Sequence, residues 1–231
     1  MLWNNNIKKN THLENIIPII DVSSSMERNH LEPLYNAIGL GIRVSEISWG
    51  AFKNRLIIFS ANPHWIRFED DDSFVKKVRY IYGMLRGLNS NIQAVIKMLI
   101  DALKETKTPA TDIKRLTLLF FSDMQCDPFS QFNGFCLSDN IKKKFKKFFH
   151  TIPKIVFWNM RKTGGFPALI YDRNLIMLSG NNAKILNLLT PRDTVKTLPS
   201  TSIFNGPYSS LYKLLNSKRY LILKNKIISK I

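Results

Sequence analysis

Short, wholly apolar runs alternate along the chain with longer stretches in which apolar residues return every third or fourth position. Ile16-Ile17-Pro18-Ile19-Ile20 is apolar throughout and breaks into Asp21-Val22-Ser23-Ser24-Ser25. A β-branched run of this kind predicts a strand over 16–21, buried on both faces as in parallel sheets. Residues 55–60, 115–121, 154–159 and 174–178 carry similar runs and predict four more strands. His64 to Phe68 instead alternates, with Trp65 and Arg67 on one side and Ile66 and Phe68 on the other. That pattern, after the turn Ala61-Asn62-Pro63, predicts the second strand of a hairpin at a sheet edge, with His64 at the surface.

Helical spacing fills the intervals. Leu31, Leu34, Tyr35, Ile38 and Ile42 predict a helix over 31–45 with one buried face. Pro33 suits its first turn, and Gly39 and Gly41 permit close packing on the sheet. A second helix is predicted from Ser73 to Leu85, with Glu69 to Asp72 as charges favoured near a helix N-terminus. Ile92, Val95, Ile96, Leu99, Ile100 and Leu103 mark a third, which places Ser90 at its mouth after the Gly87 turn. Asp112 and Lys114 lead into the strand at 115–121. The interval from Met124 to Ser138 reads as a binding loop, 139–149 as a helix, and the segment after Gly180 as a short helix ending near Pro191.

Strands alternating with helices predict an α/β fold. The sheet is expected to be doubly wound, mostly parallel and six-stranded, with one antiparallel edge strand and helices on both faces. Residues 1–15 read as an irregular leader, 16–191 as the domain, and 192–231 as a basic C-terminal appendage.

A length of 231 residues with 45% hydrophobic content is enough for a full core in one domain. No apolar run approaches the roughly 20 residues that span a bilayer, and the polar N-terminus does not read as a secretory signal. Cys126 and Cys136 lack the spacing of a structural zinc site and suit a reducing compartment, so an intracellular, cytoplasmic protein is expected. Charge changes the picture further. The formal net charge is +17, and from Phe121 onward 18 Lys or Arg face 5 Asp and no Glu. Such a balance attracts polyanions. Lys142, Lys143, Lys144, Lys146 and Lys147 are the densest block and the candidate nucleic-acid contacts; the alternative reading is an ordinary solvated helix face.

Catalytic chemistry is poorly supplied. A phosphoryl-transfer hydrolase built on Asp21 would need a second carboxylate two residues on, where Ser23 stands. Neither a GxxxxGK(S/T) loop nor a GxGxxG turn after a strand is present. His12, His30, His64 and His150 show no motif spacing with a nucleophilic serine. Strand ends in open α/β sheets are ligand sites, however. Asp21, Ser23 and Ser25 offer hard oxygens there, Ser90 adds a hydroxyl, and Asp123 ends a second apolar strand.

The order Asp-x-Ser-x-Ser, then a hydroxyl after a glycine turn, then a strand ending in Asp resembles the metal-ion-dependent adhesion site (MIDAS) of von Willebrand factor A-type (vWA) domains. Ser122-Asp123-Met124-Gln125 and Val156-Phe157-Trp158-Asn159 resemble more closely one family of uncharacterised proteins from plants and large DNA viruses, whose C-terminal half is such a domain. The resemblance covers residues 15 to 190. It implies a Rossmann-like fold and Mg²⁺ or Mn²⁺ held directly by Ser23 and Ser25, with Asp21 and Asp123 acting partly through water. Ser90 stands where these domains usually have Thr. An open coordination position would take an acidic protein partner, which makes the expected function non-enzymatic, metal-dependent binding or scaffolding. Localisation would be the host cytoplasm or the virion if the protein is viral. The family usually has a helical region ahead of the domain, and this chain is read as lacking it. A further resemblance to the A-type domain of ring-shaped RNA-binding proteins supports the alternative of an RNA-binding scaffold.

Overall fold

The computed structural model describes residues 15–28, 30–48, 50–84, 91–123, 137–161, 174–180 and 186. The chain divides into two compact units, one of Met1–Leu169 with Asn174–Asn182, the other of Ile170–Arg173 with Ala183–Ile231. Leu186 is the one described residue of the second unit. The leader as far as Glu14, the loop residues 124–136 and the appendage 192–231 lie outside the described residues.

Six strands form one sheet: β1 (Ile16–Asp21), β2 (Arg55–Phe59), β3 (His64–Arg67), β4 (Thr117–Ser122), β5 (Lys154–Asn159) and β6 (Leu175–Ser179). Their order is β3-β2-β1-β4-β5-β6, and every pairing is parallel except that of β2 with the edge strand β3. The expected α/β architecture is therefore the observed one. Residues of β1 and β4 are buried along their whole length, as strands covered on both faces must be.

The α-helices among the described residues are α1 (Glu32–Ile47), α2 (Phe74–Gly83), α3 (Ile92–Glu105), α4 (Ala110–Arg115) and α5 (Leu137–Phe149). Ile17, Ile19, Phe59, Phe120 and Phe157 of the sheet share a core with Val95, Ile96 and Leu99 of α3, Ile113 of α4, and Ile141 and Phe145 of α5. Alternate strand residues point the other way, toward α1. There a Cβ on Gly41 would stand 2.7 Å from Ile20 Cγ1, so the helix reaches the sheet only because that side chain is absent. Gly39 has nothing near it, and the close-packing role falls to Gly41 alone. Glu46 of α1 holds Lys77 of α2 at 2.8 Å in a buried ion pair.

Several local expectations shift. Leu31 does not begin α1: it caps it in the left-handed region at φ 65°, and Tyr35 is exposed and stacked on Tyr82. Residues 110–115, expected as an approach to the strand, form α4, and β4 begins at Thr117. The six residues of α4, under two helical turns, bury only Ile113, too little periodicity to mark it in the sequence. Asp70 bonds Lys53 and Asn54, while Asp72 accepts from the Glu69 N–H and pairs with Lys76 inside α2.

Candidate metal site

The sheet order places a topological switch between β1 and β4, since the chain leaves β1 toward β2 on one side and returns to β4 on the other. Ligands of open α/β sheets bind at the carboxyl ends of strands at such a point. Asp21 ends β1, Ser122 ends β4 and Asp123 follows it, with Ile20 in register with Phe121. Register thus brings together two carboxylates that are far apart along the chain.

Asp21 is 1% exposed and Asp123 0%. Asp21 Oδ1 accepts the Ser23 N–H at 2.9 Å, and Oδ2 accepts the Ser122 hydroxyl at 2.7 Å. Burial pushes the Asp21 carboxyl above its ordinary value; the bonds from Ser122 and Ser23 work against that, and the charge of Asp123 adds to it. After Ser23 the chain enters a single 3₁₀ turn, Ser24–Glu27, with Met26 buried beneath it. That turn presents Ser25. Ser23 Oγ and Ser25 Oγ lie 3.0 Å apart, and Ser25 Oγ donates to Asp123 Oδ1 at 3.1 Å. Ser25 caps no helix here.

Arg161, two residues past the end of β5, completes the cluster. Its Nη1 donates to Asp123 Oδ2 at 3.3 Å and to the Ser25 carbonyl at 3.2 Å, and its own N–H donates to Asn159 Oδ1 at 2.9 Å. No sequence motif marks Arg161. Only the adjacency of β4 and β5, with Ser122 opposite Asn159, shows that it faces Asp123.

Of the predicted ligands, Asp21, Ser23, Ser25 and Asp123 converge. Ser90 lies outside the described residues. The N-cap of α3 is Asn91, whose Oδ1 accepts the Ala94 N–H and whose own N–H donates to the Ser60 carbonyl beyond β2. Helix α3 therefore starts at the same edge of the sheet as the cluster.

The donors fit a small hard cation. Octahedral Mg²⁺ with bonds of 2.0–2.1 Å sets neighbouring ligand oxygens about 2.9 Å apart. The Ser23–Ser25 and Ser25–Asp123 separations of 3.0 and 3.1 Å are hydrogen-bond lengths, close enough to such edges for an ion to take the three oxygens with little movement. Among the described residues no three His, Cys, Asp or Glu side chains cluster, so an ion here would rest on two carboxylates and hydroxyls.

The lysine block lies on α5. Lys143, Lys146 and Lys147 are exposed. Lys142 pairs with Asp139 at 3.7 Å, and Lys144 is half-buried, which pulls its ammonium below the ordinary value. Phe148 is 42% exposed, with Lys104 Nζ of α3 at 3.5 Å from its ring centre. No helix among the described residues is long and apolar enough to cross a membrane.

Comparison with known proteins speaks to the fold and the family. A crystal structure of the Deinococcus radiodurans RO (RSR) protein matches 78% of this chain and 33% of its own, with a TM-score of 0.50 and 13% identity, which speaks to the fold alone. An uncharacterised protein of Acanthamoeba polyphaga mimivirus, L728, is 30% identical over 181 residues. The match covers 76% of this chain and 30% of that relative, so the chain spans less than a third of the relative's length. A family model described as a domain of unknown function, DUF7788, matches residues 15–201, and the chain belongs to that family.

Proposed function

We propose that the protein is a non-enzymatic binding domain of the von Willebrand A type, which captures an acidic protein segment through a Mg²⁺ or Mn²⁺ ion at a MIDAS-like site. Ser23, Ser25 and Asp123 hold the ion, and Asp21 orients the loop and acts through bound water. The observation that carries this reading is the convergence of Ser23 Oγ, Ser25 Oγ and Asp123 Oδ1, three hard oxygens linked at 3.0 and 3.1 Å at the carboxyl end of the sheet. Ser90 remains a proposed fifth contributor. Two carboxylates balance the ion on a chain of formal charge +17, so a partner carboxylate would meet little repulsion at an open position.

Hydrolysis is the weaker alternative, because Asp21 already engages both oxygens with Ser23 and Ser122 and does not present a free nucleophile. Fluorescence anisotropy with a labelled Asp- and Glu-rich peptide tests the binding reading. Affinity is expected in Mg²⁺, and its loss in EDTA and in Asp123→Ala. Binding unchanged by both treatments in folded protein would exclude capture through a metal.

A second reading, nucleic-acid binding by the basic half, is favoured by one observation. Lys143, Lys146, Lys147 and His150 are all exposed at positions 0, 3, 4 and 7 of one helical stripe on α5 and the residue after it.

A further inference from the structure

We propose that Arg161 is a built-in competitor of the divalent ion: its guanidinium serves as the cation of the metal-free site and must release Asp123 before the ion binds. This rests on the cation-site reading above and adds what regulates that site.

Asp123 is fully buried, and a buried carboxylate without a counter-charge is costly. Arg161 supplies that charge at Oδ2, while Ser25 Oγ serves Oδ1. The same Nη1 also bonds the Ser25 carbonyl, so one guanidinium pins both the carboxylate and the backbone of the turn that carries a hydroxyl ligand. An ion bonded to Asp123 would bring two positive charges against this third one, and the carboxylate would no longer need Arg161. The exchange is open to the side chain, which is 18% exposed and therefore has solvent to move into. Its backbone is held separately by the bond from its N–H to Asn159 Oδ1, so the guanidinium can leave without dislodging the end of β5.

Mn²⁺ titrations followed by electron paramagnetic resonance test this on the full chain at fixed ionic strength, comparing wild type, Arg161→Gln and Arg161→Lys. Arg161→Gln is expected to bind Mn²⁺ about tenfold more tightly, the scale of one charge-assisted hydrogen bond discounted for partial exposure. Arg161→Lys keeps the charge and loses the planar fork, and it should gain only a few-fold. If Arg161→Gln does not fold, that smaller gain carries the test. Affinity in the variants equal to or weaker than wild type overturns the role of Arg161 and leaves the cation site standing. Absence of Mn²⁺ binding from wild type and both variants, all folded, removes both.

Discussion

Asp21 is buried with each oxygen already engaged, and burial raises its carboxyl above the ordinary value. A carboxyl whose folded value is raised costs the fold stability as pH rises past its unfolded value, so at neutral pH the protein is less stable than with a neutral isostere. Asparagine retains the acceptor for the Ser23 N–H and places an amide beside Ser122. Asp21→Asn is accordingly expected to leave Tm unchanged or raise it by a few degrees in chelator, and to abolish any stabilisation by Mn²⁺. Thermal unfolding with and without Mn²⁺ reads both. A clear loss of stability in chelator would show that the carboxylate serves the fold and not a ligand. Residues of this type were legible in the sequence because hard oxygens stood at the ends of apolar runs. Arg161 was not, since its role depends on which strands are neighbours and not on its local pattern.

At the level of elements, helix α1 meets the sheet through Gly41, and the two glycines of that helix are expected to respond in opposite ways. A methyl at Gly41 must displace Ile20, which is fully buried, while a methyl at Gly39 meets open space. Gly41→Ala should cost about 1–3 kcal/mol by overpacking, partly offset by higher helix propensity. Gly39→Ala should gain about 0.5–1 kcal/mol from propensity alone. Urea denaturation of the two single variants measures the contrast, and a stabilising Gly41→Ala would contradict the packing. The sequence marked both glycines for one role because spacing alone does not say which faces the sheet. Periodicity did place the long elements well: β1 and β5 have the expected bounds, and the stripe from Ile92 to Leu103 is buried as expected. It failed at α4, which is only six residues long, and at Leu31 and Tyr35, whose apolar character suited a buried face that they do not join.

Over the whole molecule, charge and site are distinct features. The formal charge of +17 belongs mostly to the half from Phe121 onward, whereas the cluster at Asp21 and Asp123 holds, among the described residues, two carboxylates against one guanidinium. On α5 the exposed stripe of Lys143, Lys146 and Lys147 is separated in function from Phe145, which fills the core. If the second reading holds, single-stranded RNA should bind at low salt with affinity falling linearly in logarithmic salt. Replacing those three lysines by Gln should flatten the slope by roughly two to three, about 0.7–0.9 for each phosphate that is no longer neutralised. An unchanged slope places the RNA-binding residues elsewhere, and no binding at low salt rejects the reading. Neither outcome bears on the metal.

On the proposed reading, Ser23, Ser25 and Asp123 together hold a divalent ion. Anomalous diffraction from crystals grown in excess Mn²⁺ addresses it without reference to any partner. The expected result is a Mn²⁺ peak within bonding distance of Ser23 Oγ and Ser25 Oγ, beside Asp123, with Arg161 turned away from the carboxylate. The contradictory result is no peak at that position, with Ser25 Oγ still donating to Asp123 and Arg161 still in place.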